Sequence, residues 1–127
     1  MKRTFYLAAL AFLLIFVVTA VGCQAEIIIR LAPIHEVQVL IAESFPPQIF
    51  IYIKGGLADS CTTFHDLTKQ RSGNTINITV TTERPKDAIC AQVYGFFDKN
   101  VSLGSEFTSG ETYTINVNDY TTSFVMQ

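Results

Sequence analysis

Residues 74–82 read Asn-Thr-Ile-Asn-Ile-Thr-Val-Thr-Thr, and this stretch decides the fold. Ile76, Ile78 and Val80 fall at every second position, between Thr75, Asn77, Thr79 and Thr81. A period of two belongs to an extended chain whose side chains alternate between faces, so the stretch predicts an antiparallel strand with one dry and one wet face. Residues 111–118 repeat the pattern, with Tyr113, Ile115 and Val117 inward against Thr112, Thr114, Asn116 and Asn118. Residues 123–127 supply a last apolar strand through Phe124 and Met126. Asn118-Asp119-Tyr120 between them is a turn, because these residue types tolerate left-handed backbone, and the two strands should form a hairpin.

Working outward, residues 27–31 and 36–42 are strand candidates, and Pro46-Pro47 then breaks any ladder because proline has no amide proton. Residues 48–54 carry Ile-Phe-Ile-Tyr-Ile, apolar on both faces, which predicts a central strand or one covered by the N-terminal segment. Gly55-Gly56 is expected to end it. Residues 62–69 form the next strand, 71–74 a turn, 84–87 a loop, and 89–97 and 100–103 two further strands. About seven short strands with frequent turn signals predict an all-β chain, an immunoglobulin-like antiparallel β-sandwich following an N-terminal signal helix. A small β-barrel is the alternative architecture. The chain has no Trp, so aromatic packing has to come from Phe50, Tyr52, Phe64, Tyr94, Phe96 or Phe97.

The N-terminus has a different grammar. Lys2 and Arg3 precede an apolar run over residues 5–18, which closes on Ala20-Val21-Gly22-Cys23. Charge, apolar core and small residues in that order make a secretory signal. A cysteine directly after Ala-Val-Gly resembles the bacterial lipoprotein signal, although that pattern usually has Leu where Ala20 stands. The resemblance implies cleavage before Cys23, diacylglycerol on its sulfur, and a chain exported and anchored to the outer face of a bacterial membrane. Soluble secretion and an uncut membrane anchor are the plainer alternatives. The expected organisation is a signal peptide over 1–22, an acylated tether or first strand over 23–33, and a β-sandwich domain over 34–127.

From Cys23 onward the chain has 105 residues, enough for one domain, with seven basic against eleven acidic side chains and a net charge of −4. No basic cluster remains to meet phosphates, so nucleic acid is excluded as an expected partner. Assigning Cys23 to lipid leaves Cys61 and Cys90, an even pair in an exported chain, and predicts a disulfide between them. With 28 residues between the cysteines, the chain-entropy model gives roughly 3 to 4 kcal/mol for such a bridge.

The runs 55–61 (Gly-Gly-Leu-Ala-Asp-Ser-Cys), 71–75 (Arg-Ser-Gly-Asn-Thr), 81–90 (Thr-Thr-Glu-Arg-Pro-Lys-Asp-Ala-Ile-Cys) and 110–118 (Gly-Glu-Thr-Tyr-Thr-Ile-Asn-Val-Asn) together resemble a cysteine-paired module of uncharacterised secreted bacterial proteins. The resemblance extends over residues 48–126. It implies the bridge and the module boundaries, and no activity.

Catalytic motifs are weak. Asp59, Ser60 and His65 include the types of a hydrolase triad, but they crowd into seven positions without a Gly-x-Ser-x-Gly elbow. Cys61, Cys90 and His65 are too few ligands for a closed zinc site, and His35 reads as a solvated side chain. Glu83, Asp87 and Asp98 meet as a weak calcium site only if their loops cluster. Asn77-Ile78-Thr79 and Asn100-Val101-Ser102 fit the glycosylation sequon but read as ordinary strand and turn residues. The expected function is therefore a noncatalytic, monomeric module without cofactor or metal, held to the membrane by lipid and binding a protein or polysaccharide partner through end loops. Those loops are Gly55, Gly56, Asp59 and Ser60 together with Arg84, Pro85, Lys86 and Asp87. A protease inhibitor with an immunoglobulin-like fold, suggested by Arg84-Pro85, and a structural envelope component are the alternatives.

Overall fold

The computed structural model describes residues 22–127, so the expected signal over 1–22 lies outside the described residues except for Gly22. Eight strands follow in chain order: β1 Ile27–Leu31, β2 Ile34–Ala42, β3 Gln48–Leu57, β4 Thr63–Ser72, β5 Thr75–Pro85, β6 Gly95–Gly104, β7 Thr112–Val117 and β8 Tyr120–Val125. They build two sheets, β2-β3-β6 and a five-stranded sheet around β5. The described residues form no helix and no closed barrel, so the architecture is the sandwich.

The period-two residues of β5 and β7 become the core. Ile76, Ile78, Val80, Tyr113, Ile115 and Val117 of one sheet meet Ile49, Ile51 and Ile53 of β3, all buried. Val37 and Val39 lie opposite Ile53 and Ile51 on the same inner face. β3 is central, as its apolar run requires, with β2 and β6 antiparallel on its two edges.

The large sheet is organised by the length of β5. β4 pairs along one edge of it from Thr63↔Glu83 to Ser72↔Thr75. Two strands share the other edge: β7 takes residues 75–78 and β1 takes residues 81–85. The β7 pairing is parallel, whereas the alternating pattern suggested only antiparallel neighbours. Asn118 fills the junction with a left-handed φ of 52°. Its Oδ1 accepts from Val80 N at 2.9 Å, and its Nδ2 donates to the carbonyls of Ala32 and Val80 at 2.7 and 2.9 Å. The gap between two partner strands would otherwise leave backbone groups of β5 unpaired in the interior.

Several expected boundaries shift, among them the last strand, which spans Tyr120–Val125 instead of 123–127. Gly55-Gly56 does not end β3, which continues to Leu57, because a side chain at Gly55 would overlap the Phe97 ring and one at Gly56 would overlap Tyr94 and His35. These glycines make room for neighbours across the sheet rather than for a turn. β5 runs through Arg84 to Pro85, so the expected loop starts at Lys86. The two strands expected over 89–97 and 100–103 are replaced by one, β6, with residues 88–94 irregular before it. Ser72 and Thr75 pair around Gly73-Asn74, with φ of 59° at Gly73, the left-handed first position that a two-residue hairpin loop needs.

Candidate functional site

The disulfide gathers one end of the sandwich. Cys61 lies in the short 58–62 connection between β3 and β4, Cys90 lies in the irregular segment before β6, and they are bonded with their Cα atoms 5.6 Å apart. Asp59 organises the first connection: its Oδ1 accepts from Thr62 Oγ1 at 2.7 Å and from Cys61 N at 3.1 Å, and its Oδ2 pairs with Arg84 Nη2 at 3.0 Å. The Thr62 hydroxyl bond holds the Asp59 carboxyl below the usual carboxylate range, and the Cys61 amide and the Arg84 charge act the same way against desolvation. Arg84 also reaches Cys90 Sγ at 3.2 Å. Ser60 closes the connection onto the second cysteine segment, its N donating to Ala91 O at 3.1 Å and its Oγ accepting from Ala91 N at 2.9 Å.

The residues expected to bind fall into different surroundings. Gly55 and Gly56 are buried within β3 and offer no surface. Asp59, Ser60 and Arg84 are brought together: Asp59 is held by Thr62, Cys61 and Arg84, Ser60 is held by Ala91, and the buried Nε of Arg84 has no hydrogen-bond partner among the described residues. Pro85 ends β5 opposite Ile27, and Lys86 is tied to Glu26 through Nζ and backbone N, each at 2.8 Å. Asp87 is the exposed member of the set without an ion pair among the described residues.

The surface that the sequence reading missed is apolar. Ile89 is fully exposed, and Val93, Tyr94 and Phe96 are 64%, 47% and 55% exposed. Tyr94 Oη lies 2.6 Å from His35 Nε2, and the rings of His35, Tyr94 and Phe96 meet edge to face with centroids 5.4 to 5.7 Å apart. Lys54 Nζ stands 4.8 Å from the Phe96 ring centre. Beside it on the outer face of the three-stranded sheet, the Tyr52 hydroxyl donates to Asp98 at 2.6 Å, a bond that raises the Tyr52 pKa because the carboxylate stabilises the protonated phenol. Rings with polar groups at their rim suit recognition, supplying apolar area and hydrogen bonds together. In sequence, residues 89–97 read as a strand. Ile89, Val93 and Tyr94 are exposed because residues 88–94 lie outside both ladders beside the staple, and Phe96 because it stands on the outer face of β6 opposite Gly56.

The groups considered for chemistry are separated. His65 Nδ1 pairs with Glu83 at 3.0 Å, away from Asp59, whose partner is Arg84. Glu83 lies on the outer face of the large sheet beside Ile29 and Thr63, whereas Asp98 lies opposite Lys54 on the outer face of the small one, so a shared cation site with Asp87 does not assemble. Of the two sequon asparagines, Asn77 accepts from Asn116 at 2.9 Å within the sheet. Cys23 is exposed and outside the disulfide.

Comparison with known proteins gives relatives of the same kind. The chain is 46% identical over 86 residues to an uncharacterised 10.2 kDa protein encoded in the 5′ region of HgiCIIM in Herpetosiphon aurantiacus, covering 68% of this chain and 90% of that protein. Uncharacterised 10.2 kDa proteins from the HgiBIM and HgiEIM 5′ regions of the same organism are each 47% identical over 76 residues, covering 60% of this chain and 92% of theirs. No solved structure matches. The family model for the ORF11 beta-sandwich domain matches residues 51–126, nearly the span of the cysteine-paired module, so the chain belongs to the ORF11 beta-sandwich domain family.

Proposed function

We propose that this chain is a noncatalytic binding module of the cell envelope, tethered through lipid on Cys23, that captures a protein or polysaccharide with the stapled segment from Asp87 to Phe96. The observation that carries this reading is the exposure of Ile89, Val93, Tyr94 and Phe96 beside a disulfide. Contiguous exposed apolar groups mark interaction surfaces, and a segment already ordered by a covalent bond loses less entropy when it binds. The disulfide is consistent with folding in an oxidising compartment, and the exposed position of Cys23 is compatible with acylation.

The test is retention of envelope proteins and of an array of purified polysaccharides by the immobilised domain, compared with a Val93→Ser/Tyr94→Ala/Phe96→Ser variant. The expected result is loss of retention in the variant with an unchanged Tm. Equal retention by both proteins, or turnover of a substrate by the purified domain, overturns the reading. The anchoring half is read separately: Cys23→Ser should abolish incorporation of labelled lipid.

A further inference from the structure

We infer that the outer face of β1 lies against the bilayer, so that the domain rests on the membrane on its five-stranded sheet. Ile27, Ile29 and Leu31 are 46%, 52% and 63% exposed. They alternate along β1 and therefore share one face, opposite Pro85, Glu83 and Thr81 of β5. The rest of that sheet's outer face is polar except for Val125 of β8, carrying Thr68, Gln70, Thr75, Asn77, Thr79, Thr114, Asn116, Thr121 and Ser123 in register. Three aliphatic residues in line on one strand, on a face otherwise covered by hydroxyls and amides apart from the single Val125, call for an apolar partner at that strand.

Chain connectivity selects the partner. Glu26 is held by both its carbonyl and its carboxylate to Lys86, which leaves only residues 23–25 as free tether. Three extended residues span about 10 Å. A lipid on Cys23 would therefore hold Ile27, Ile29 and Leu31 at the height of the headgroups, where an apolar strip a few ångströms deep is accommodated. The strip brings no basic cluster, and Glu83 stands beside Ile29, so its match is a zwitterionic surface rather than an anionic one. In this pose the ring cluster of His35, Tyr94 and Phe96, on the other sheet, stays open to solvent. The inference rests on the lipid-anchor reading for its cellular setting, and the experiment separates the two.

The chain from Cys23 onward keeps all eight strands, has one cysteine outside the disulfide and contains no Trp. Cys23 is coupled to a thiol-reactive phospholipid in phosphatidylcholine vesicles, with a single reporter introduced as Ile29→Trp or, at the far end of the sandwich, as Phe45→Trp. Leu31→Trp repeats the reading from the same face should Ile29→Trp fold poorly. Lipids brominated high on their acyl chains should quench the Ile29 and Leu31 reporters several-fold more than the Phe45 reporter, with a shift of emission to shorter wavelength. Equal quenching at both ends, no quenching, or a blue shift without vesicles that grows with protein concentration, as for a second copy covering the strip, overturns the inference. Mass spectrometry of the protein from cells reads the lipid on Cys23 independently. If that mass is absent while the coupled Ile29 reporter is quenched, the contact stands and the native anchor falls; if it is present while the reporter is silent, the contact falls.

Discussion

The two ends of the sandwich are closed by different means. At one end Cys61–Cys90, Asp59 and Arg84 hold together two segments with little backbone pairing, leaving Ile89, Val93 and Tyr94 exposed. At the other, Tyr113 is buried beneath Phe107 and Phe124, with ring centroids at 4.8 and 5.6 Å, and Arg71 lies 4.6 Å from the Phe107 ring. The Tyr113 hydroxyl accepts from Thr108 N at 2.8 Å and donates to Glu111 at 3.2 Å, which ties the 105–111 loop down. The packed end is held by burying the Tyr113 ring under the half-buried Phe107 and Phe124. A covalent staple needs no such burial and lets side chains beside it face outward. The end proposed for binding is thus the one held by a covalent bond rather than by the burial of its own rings.

The contrast is broken most directly at the packed end. Tyr113→Ala removes a ring that is 1% exposed and leaves the loop amide of Thr108 without its acceptor, so a loss of about 4 kcal/mol is expected in denaturant unfolding. Retention of a partner by the domain that remains folded should be unchanged. A small loss of stability, or loss of retention, would mean that the two ends are not independent.

At the stapled end the order of effects reverses. Cys61→Ala with Cys90→Ala should cost about 3 kcal/mol through the freed 28-residue loop, which lowers the Tm by about 15 °C for a domain of this size. Unlike the tyrosine change, it should also weaken partner retention at temperatures where the domain is still folded, because residues 87–94 lose their ordering. Retention equal to wild type would show that the staple serves stability alone.

Between the ends, Asn118 joins the half of β5 paired with β7 to the half paired with β1. Asn118→Ala strands the Val80 amide and puts alanine at a left-handed φ, for an expected loss of about 2 kcal/mol. Hydrogen exchange should report the opening locally, at Ala32 and Val80, whose amides lie at this junction. Protection that falls equally along all strands would refute a local joint.

How far the sequence carried this picture depends on whether the information was local. Ile76-Ile78-Val80 and Tyr113-Ile115-Val117 predicted their own burial, because alternation alone decides which face is dry. The pairing of Cys61 with Cys90 was legible from parity. Gly55-Gly56 was read as a stop since glycine usually punctuates a strand, while its reason lies 38 or more residues away, in Phe97 and Tyr94. Asp98-Lys99 likewise separated two expected strands, yet β6 passes straight through it opposite Ile53 and Lys54. Lys99 even points to the inner side of that edge strand, where its ammonium caps the Phe64 ring at 4.0 Å. The exposed apolar surface escaped the sequence reading for the same reason. Gly, Pro and charge marked residues 55–60 and 83–88 as loops, but Asp59 and Arg84 find each other in the fold, and the exposed groups are those that a linear reading assigns to a core.

The smallest expected effect tests whether Asp59 belongs to the staple or to the surface. Its carboxyl titrates below the usual 3.8 because the ionised form is bonded to Thr62, Cys61 and Arg84. A carboxylate whose pKa is lowered by folding adds stability at pH values above its unfolded value, and this contribution disappears as pH falls through the lowered folded value. Wild-type Tm should therefore drop on acidification below about pH 4. Asp59→Asn keeps an oxygen for Thr62 and the Cys61 amide but loses the charge facing Arg84, so its Tm should be lower than wild type at neutral pH and converge on it in acid. If the variant instead keeps the wild-type Tm at every pH while losing partner retention, Asp59 is a contact residue, and the division between a stapling interior and an apolar binding exterior at this end is wrong.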